Sequence, residues 1–140
     1  MSADIEVKDN TKKALDLIAH AKKTALESVG ANVATYAATS TEMPVLTGRA
    51  KNSITWAMKG VNEGKNFEYY DDKLNKFDYD IGTGAEEDSV YVGSNVEYFP
   101  LIENGGVGRA GKHVLRNAVS GHKEEIKNTI ADAFKAANLT

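Results

Sequence analysis

The chain has 140 residues, 41% of them hydrophobic and 26% charged, with a formal net charge of −3 and no cysteine. These values suit one soluble domain built around one core, and they exclude a disulfide scaffold and a thiolate-held zinc or iron–sulfur site. The negative balance sets aside a protein that coats nucleic acid, which needs a basic face.

Asp4, Glu6 and Asp9 stand where a signal peptide has a positive start and then an apolar run. No stretch approaches the roughly 18 apolar residues of a membrane span. The expectation is a chain made in the cytoplasm, without an export leader or a membrane partner. Between positions 10 and 39, Leu15, Ile18, Ala21, Ala25, Val29, Val33 and Tyr36 recur every three or four residues, opposite Lys12, Lys13, Asp16, Lys23 and Glu27. That spacing predicts a long amphipathic helix, capped at Asp9 or Asn10, with Gly30 as a point for a kink. Pro44 then ends the helical region, since a proline pushes its predecessor out of helical geometry.

After Pro44 the period changes to two. Ile54, Trp56 and Met58 alternate with polar residues, as do Phe77, Tyr79 and Ile81, with Val90 and Val92 and a weaker run from Phe67 to Tyr70. Gly60, Asn62, Gly64, Asp71, Asp72, Asn75, Gly82 and Gly84 separate these runs as turn residues. The span 53–93 therefore predicts an antiparallel meander with long turns. Trp56 is expected in its core, beneath Leu15, Ile18, Leu115 and Val119. A short helix and a glycine-rich loop follow over 97–112. A second amphipathic helix over 112–137 carries Val114, Leu115, Ala118, Val119, Ile126, Ile130, Ala133 and Phe134 on one side. The fold class expected is α+β: an antiparallel sheet flanked on one face by a long N-terminal helix and a C-terminal helix.

Gly106 to Lys112 has the glycine and lysine spacing of a phosphate-binding loop, but His113 occupies the place of the magnesium-binding Ser or Thr, and Pro100 disfavours the strand that precedes such a loop. A flexible or interface loop is the expected identity. His20, His113 and His122 lack the spacing that puts two zinc ligands on one helix face, and His122 is expected as a partly buried structural side chain. Glu86, Glu87 and Asp88 lack the calcium-loop pattern and read as a solvated turn. Ser53, Ser89 and Ser94 have no nucleophile elbow or sequence-adjacent base. No catalytic residue, metal or cofactor is expected.

Three blocks do resemble a known family. Met43-Pro44-Val45-Leu46-Thr47-Gly48-Arg49 with Asn52-Ser53-Ile54, then Val90 to Tyr98 with Ile102-Glu103-Asn104-Gly105, then His113 to Ala118, resemble in order the signature of the gp-ten-like family of tailed-phage minor tail and neck proteins. Ala50 stands where that signature has leucine, and Asn104 replaces its aromatic. On this resemblance Pro44, Thr47, Gly48, Arg49, Ser53, Ile54, Gly93, Tyr98, Glu103 and Gly105 are fold-signature residues. Thr47 is expected to cap a short helical turn and Gly48 to adopt a positive φ.

Phe99, Leu101 and Ile102, crowded around Pro100, are the candidate subunit-interface residues. The resemblance implies a ring, sixfold by analogy with tail tubes, that joins or completes the tail at the head–tail junction of a virion assembled in the bacterial cytoplasm. Its implied partners are copies of itself, a head–tail connector or stopper, a tail tube or terminator, and DNA passing through the lumen without sequence-specific contact. Alternatives are a tail terminator or a component of a headless tail-like particle, a nucleotide-binding domain using the Gly106 to Lys112 loop, and a cytoplasmic binding module using Tyr98 to Ile102.

Overall fold

The computed structural model describes residues 2–138, with side chains from residue 11 onward. Helix α1 runs from Ser2–Ala38 without a break, a length of roughly 55 Å at about 1.5 Å per residue. It begins upstream of Asp9 and Asn10, so neither caps it. Ala21, Ala25, Val29, Val33 and Ala37 form its buried face, each four residues from the last. Gly30 does not break the helix. A methyl there would stand 2.7 Å from Val90 Cγ2 and 3.0 Å from Trp56 Cβ, so glycine lets the sheet approach the helix backbone.

Helix α2 (Arg49–Asn52) leads into β1 (Thr55–Ala57), followed by β2 (Asn66–Tyr70), β3 (Lys76–Asp80) and β4 (Tyr91–Gly93). Helix α3 (Phe99–Asn104), strands β5 (Gly105–Gly106) and β6 (Arg109–Ala110), then α4 (Val114–Ser120) and α5 (Lys123–Ala136) complete the chain. The fold is α+β, with a long N-terminal helix, antiparallel strands and C-terminal helices.

The expected meander is not one sheet but three two-stranded ones: β1 with β4, β2 with β3, and β5 with β6. Asn62 explains the split after β1. Its side-chain oxygen accepts from the Met58 amide at 2.8 Å and its Nδ2 donates to the Trp56 carbonyl at 2.6 Å, so the chain curls away before β2 can pair with β1. The β2–β3 hairpin is thus an excursion, and β4 returns to pair Val92 with Trp56. Within the hairpin, Phe67 and Tyr79 (5.5 Å) and Tyr69 and Phe77 (5.6 Å) pair across the strands on the inward face.

The C-terminal segment also differs from the single helix expected over 112–137. It breaks at Gly121 and His122, a poor helix former followed by a residue at φ −131. The His122 ring stacks on Tyr36 at 3.9 Å, with its Nδ1 3.1 Å from the Ala118 carbonyl. This break lets α5 run antiparallel along α1, with Asn32 Nδ2 donating to Thr129 Oγ1 at 3.3 Å. Met43, Ala50, Ile54, Tyr69, Val96, Phe99, Val114 and Ala118 join the α1 stripe in the core.

Trp56 is half-buried, not a core residue. It lies against Gly30, and of the residues expected above it Leu15, Ile18 and Val119 are exposed while Leu115 is half-buried against the core.

Candidate functional site: a clipped frame and its exposed loops

In the turn before α2 the cap position belongs to Gly48 and not to Thr47. Gly48 has φ 78, and a methyl on it would collide with the Asp72 carboxylate. The Arg49 amide donates to Thr47 Oγ1 at 3.3 Å, and the Asp72 amide donates to the Thr47 carbonyl at 2.8 Å. Asp71 closes the neighbouring turn by accepting from the amides of Lys73 and Asn75, both at 2.9 Å. The Asn75 side chain also donates to it, and this is the main reason its carboxyl sits below the ordinary range.

Arg49 is the hub. Its guanidinium binds Glu97 in a two-pronged pair at 3.1 and 3.2 Å and lies 4.4 Å from the centre of the Phe77 ring and 5.6 Å from that of Tyr98. One arginine therefore joins α2, the β2–β3 hairpin and the entry to α3, using the planar fork that lysine lacks. The neighbouring Tyr69 hydroxyl, and after it Glu97, holds the guanidinium above its usual pKa. The Glu97 carboxyl is held down by its own backbone amide and by Arg49.

Ser53, fully buried, forms a second clip. Its hydroxyl donates to the Ala50 carbonyl at 2.6 Å and shares a 2.6 Å hydrogen bond with Ser94 Oγ, while its carbonyl accepts from the Tyr79 hydroxyl. With its donor committed to a carbonyl, Ser53 acts as a structural link between α2 and β4. Burial pushes the Tyr79 phenol up to about 12.

Glu103 forms the third. Its carboxylate accepts from the amides of Leu115 at 2.8 Å and Arg116 at 3.1 Å, capping the start of α4 from a distant position in sequence. Beside it Gly105, at φ 81, packs against the Arg109 carbonyl too closely for any side chain. Of the remaining signature residues, Ile54 is buried, Gly93 pairs with Thr55, Tyr98 is half-buried beside Arg49, and Pro44 is exposed.

The Gly106 to Lys112 segment is a β-hairpin turning at Val107 and Gly108, preceded by a helix where a phosphate loop has a strand. The Lys112 ammonium lies 3.8 Å from the Glu42 carboxylate. Among the described residues no group of three His, Asp or Glu side chains is placed to hold a metal ion, and no helix is long and apolar enough to cross a membrane. In the acidic turn, Asp88 and Glu87 pair with Lys22 and Lys59 at 3.2 and 3.8 Å.

The three candidate interface residues do not share one environment. Phe99 is a core residue and is withdrawn as a contact surface; Ile102 is half-buried against the core; Leu101 is 58% exposed. The short helix α3 turns Phe99 inward, and Leu101, two positions on, falls on the opposite side. Exposed aliphatics that the sequence reading did not single out are Leu46 (96%), Leu74 (80%, at φ 65) and the fully exposed Val107. Each sits at a turn where aperiodic sequence gives no facing signal. The Thr47 to Asp72 hydrogen bond and the Lys112 to Glu42 pair tie the 40–48 segment to the turn carrying Leu74 and to the hairpin carrying Val107. Compared with family models, curated proteins and solved structures, the chain has no match in any of the three.

Proposed function

We propose that this chain is a structural component of a tailed phage or prophage particle, joining or completing the tail at the head–tail interface as a ring and catalysing no reaction. The observation that carries this reading is the convergence of three short motif blocks that lie far apart in sequence. Arg49 of the first block holds Glu97 beside Tyr98 of the second, Ser53 meets Ser94, and Glu103 clamps the start of the third at Leu115 and Arg116. Chance matches to a signature have no reason to be bonded to one another side chain to side chain. The resemblance to the gp-ten-like family thus gains a physical rationale, since its signature residues are the clips of the frame.

Exposed aliphatics on separate turns, Leu46, Leu74, Leu101 and Val107, add support for a protein that completes itself by assembly. On this reading the chain assembles in the host cytoplasm, resides in the virion, and contacts a connector or stopper on one side and a tail tube or terminator on the other. DNA passes its acidic wall without sequence-specific contact.

Deleting the gene in a host that carries the particle tests the proposal. The expected result is filled heads and finished tails that remain separate, restored to joined particles by the gene in trans. Normal numbers of infectious particles without the gene would overturn the reading.

A further inference from the structure

Strand β4 has one neighbour, β1, and its other edge is open. In an antiparallel pair, alternate residues point their main-chain groups at the partner. The Trp56 carbonyl and the Met58 amide turn outward to Asn62, so Thr55 and Ala57 face β4, and Val92, opposite Trp56, directs its N–H and C=O away from β1. Among the described residues neither group has a partner on that side. Sheets commonly guard an open edge with charge, as Lys76, Asp78 and Asp80 do on β3, but Ser89 to Asn95 holds no charged residue and no proline.

Beside this edge lies an open apolar groove of about 500 Å³. Val29 and Val33 of α1 floor it, Val92 stands in one wall, and Leu115 and Val119 of α4 form the other. With α4 opposite β4, the groove admits a single strand and not a second ladder. An extended backbone satisfies the donors and acceptors on β4, and apolar residues at every second position suit the floor. Two charged residues line the groove. Glu103 is committed to the amides of Leu115 and Arg116, whereas the Arg116 side chain is exposed and has no ion pair among the described residues. From Asn104 through Lys123 the chain carries Arg109, Lys112, Arg116 and Lys123 and no acidic residue. The strand that fits is therefore alternating and acidic.

Ser2 to Asp9 has that sequence. Ala3, Ile5 and Val7 alternate with Asp4, Glu6 and Lys8, and Asp4, Glu6 and Asp9 against Lys8 leave a net −2. The segment forms the outer end of α1, and helical turns draw most of their stability from packing. Helix α5 supplies that packing no further than Thr24 and Ala25, because Asn32 with Thr129 and Tyr36 with His122 set its antiparallel register and Ala136 is its last residue. Lys12 to His20, between that point and the segment, are all exposed. The segment cannot serve the groove of its own chain. Fully extended, Ser2 to Asp9 spans at most about 26 Å, whereas α1 runs about 28 Å from Asn10 to Val29, where the groove begins.

We propose that Ser2 to Asp9 of one copy unwinds from α1 and adds to the open edge of β4 in a second copy, as a third strand of the β1–β4 ladder, with its apolar positions over Val29 and Val33 and its acidic ones at the rim with Arg116. The inference rests on the ring reading above and supplies its subunit contact. The helical hydrogen bonds that the arm gives up are replaced by ladder bonds to β4, and the groove adds apolar burial that the projecting helix end lacks. Arm-to-edge contact is heterologous, and a heterologous contact that closes makes a ring.

The test uses full-length variants. Val92→Pro removes the outward N–H and leaves the bonds to β1 in place, since proline is tolerated on an open edge; Val92→Thr, which keeps the N–H, is its control. Ile5→Asp with Val7→Asp spoils the arm. Circular dichroism and melting establish that each variant is folded, while sedimentation velocity and negative-stain microscopy report assembly. Val92→Pro and the arm variant should each associate at least about tenfold more weakly than the wild type, and Val92→Thr should assemble normally. In an equimolar mixture of the two weak variants one contact survives, the arm of a Val92→Pro copy on the edge of an arm-variant copy, so the mixture should stop at dimers. Hydrogen exchange at the Val92 amide should be fast in the wild-type monomer and slow in its rings. Either weak variant assembling at wild-type strength, a Val92→Thr protein as impaired as Val92→Pro, a mixture that stays monomeric or closes into rings, or exchange at Val92 that assembly does not slow overturns the inference while leaving the ring reading in place. A wild-type chain that remains monomeric throughout, with or without connector and tube proteins, overturns both.

Discussion

Gly30 offers a perturbation whose ordinary sign should reverse. Replacing glycine by alanine inside a helix normally stabilises by about 0.5–1 kcal/mol, because alanine loses less backbone freedom on folding. At Gly30 the added methyl would stand 2.7 Å from Val90 Cγ2 and 3.0 Å from both Cβ and Cγ of Trp56. The valine methyl can rotate aside, but Trp56 Cβ belongs to a strand held in register opposite Val92, so α1 and the β1–β4 ladder must part. Overpacking of this kind costs about 1–3 kcal/mol. Set against the helix gain, the net expectation for Gly30→Ala is a loss of about 1 kcal/mol, or a fall in Tm of about 3–5 °C for a domain of this size. Urea denaturation supplies the free energy, and Gly30→Val should lose more. A double-mutant cycle with Val90→Ala should show coupling, because removing Cγ2 takes away the nearest obstacle. A Gly30→Ala protein at least as stable as the wild type, without coupling to Val90, would refute the close approach of helix and sheet.

The other expectations concern the clips. Glu103→Ala should cost about 0.5–2 kcal/mol, the range for losing a helix cap, and should speed hydrogen exchange at the amides of Leu115 and Arg116; unchanged exchange there would contradict the capping role. Arg49→Lys keeps the charge but loses the fork to Glu97 and the stacking on Phe77, so stability should fall by about 1 kcal/mol, and a melting curve superimposable on the wild type would count against the hub. Tyr79, pushed up to about 12 from its ordinary 10, is favoured as the neutral phenol in the fold. Its contribution is fully present below about pH 10 and is lost as pH rises from there toward 12. Tyr79→Phe should therefore remove the highest step from the phenol absorbance titration and flatten the alkaline loss of stability; an unaltered titration would show that Tyr79 is solvated.

The α+β class was legible because period and punctuation carry it: the stripe from Ala21 to Val33, the alternation through Phe77 and Tyr79, and the stop at Pro44. Gly48 was legible for a different reason, since a Thr-Gly pair at the start of a short helical turn suits a left-handed residue, and its φ is 78. Periodicity marks which residues share a face, but not whether anything lies opposite that face. Leu15 and Ile18 continue the stripe in phase and are exposed because α5 ends short of them. Strand pairing was hidden for another reason, because Asn62 decides that β1 waits for β4, and its two local hydrogen bonds, to Met58 and Trp56, leave no periodic signal in an ordinary turn residue. Phe99 and Leu101 were indistinguishable as apolar neighbours of Pro100. Only the direction of α3 separates a core side chain from an exposed one. Glu103 was visible as a motif residue, but its role as a cap needed the approach of α4, 12 residues later.

A physical logic connects these clips to the exposed apolar surface. Strands of two to five residues in two-stranded sheets are marginal by themselves, so Arg49, Ser53 and Glu103 fix the loops that the ladders cannot. The core they enclose is thin, because six of its buried apolar positions (Ala21, Ala25, Ala37, Ala50, Ala85 and Ala118) contribute one methyl each, and α5 buries none of its residues fully. Alanine and Gly30 bring helices and strands close together at the expense of apolar area removed from water. The larger side chains that would normally supply that area, Leu15, Ile18, Leu46, Leu74 and Leu101, are instead directed outward. A chain that uses polar clips to hold its shape and leaves Leu15, Ile18, Leu46, Leu74 and Leu101 exposed keeps part of its apolar area in water, where a contact with another molecule would bury it.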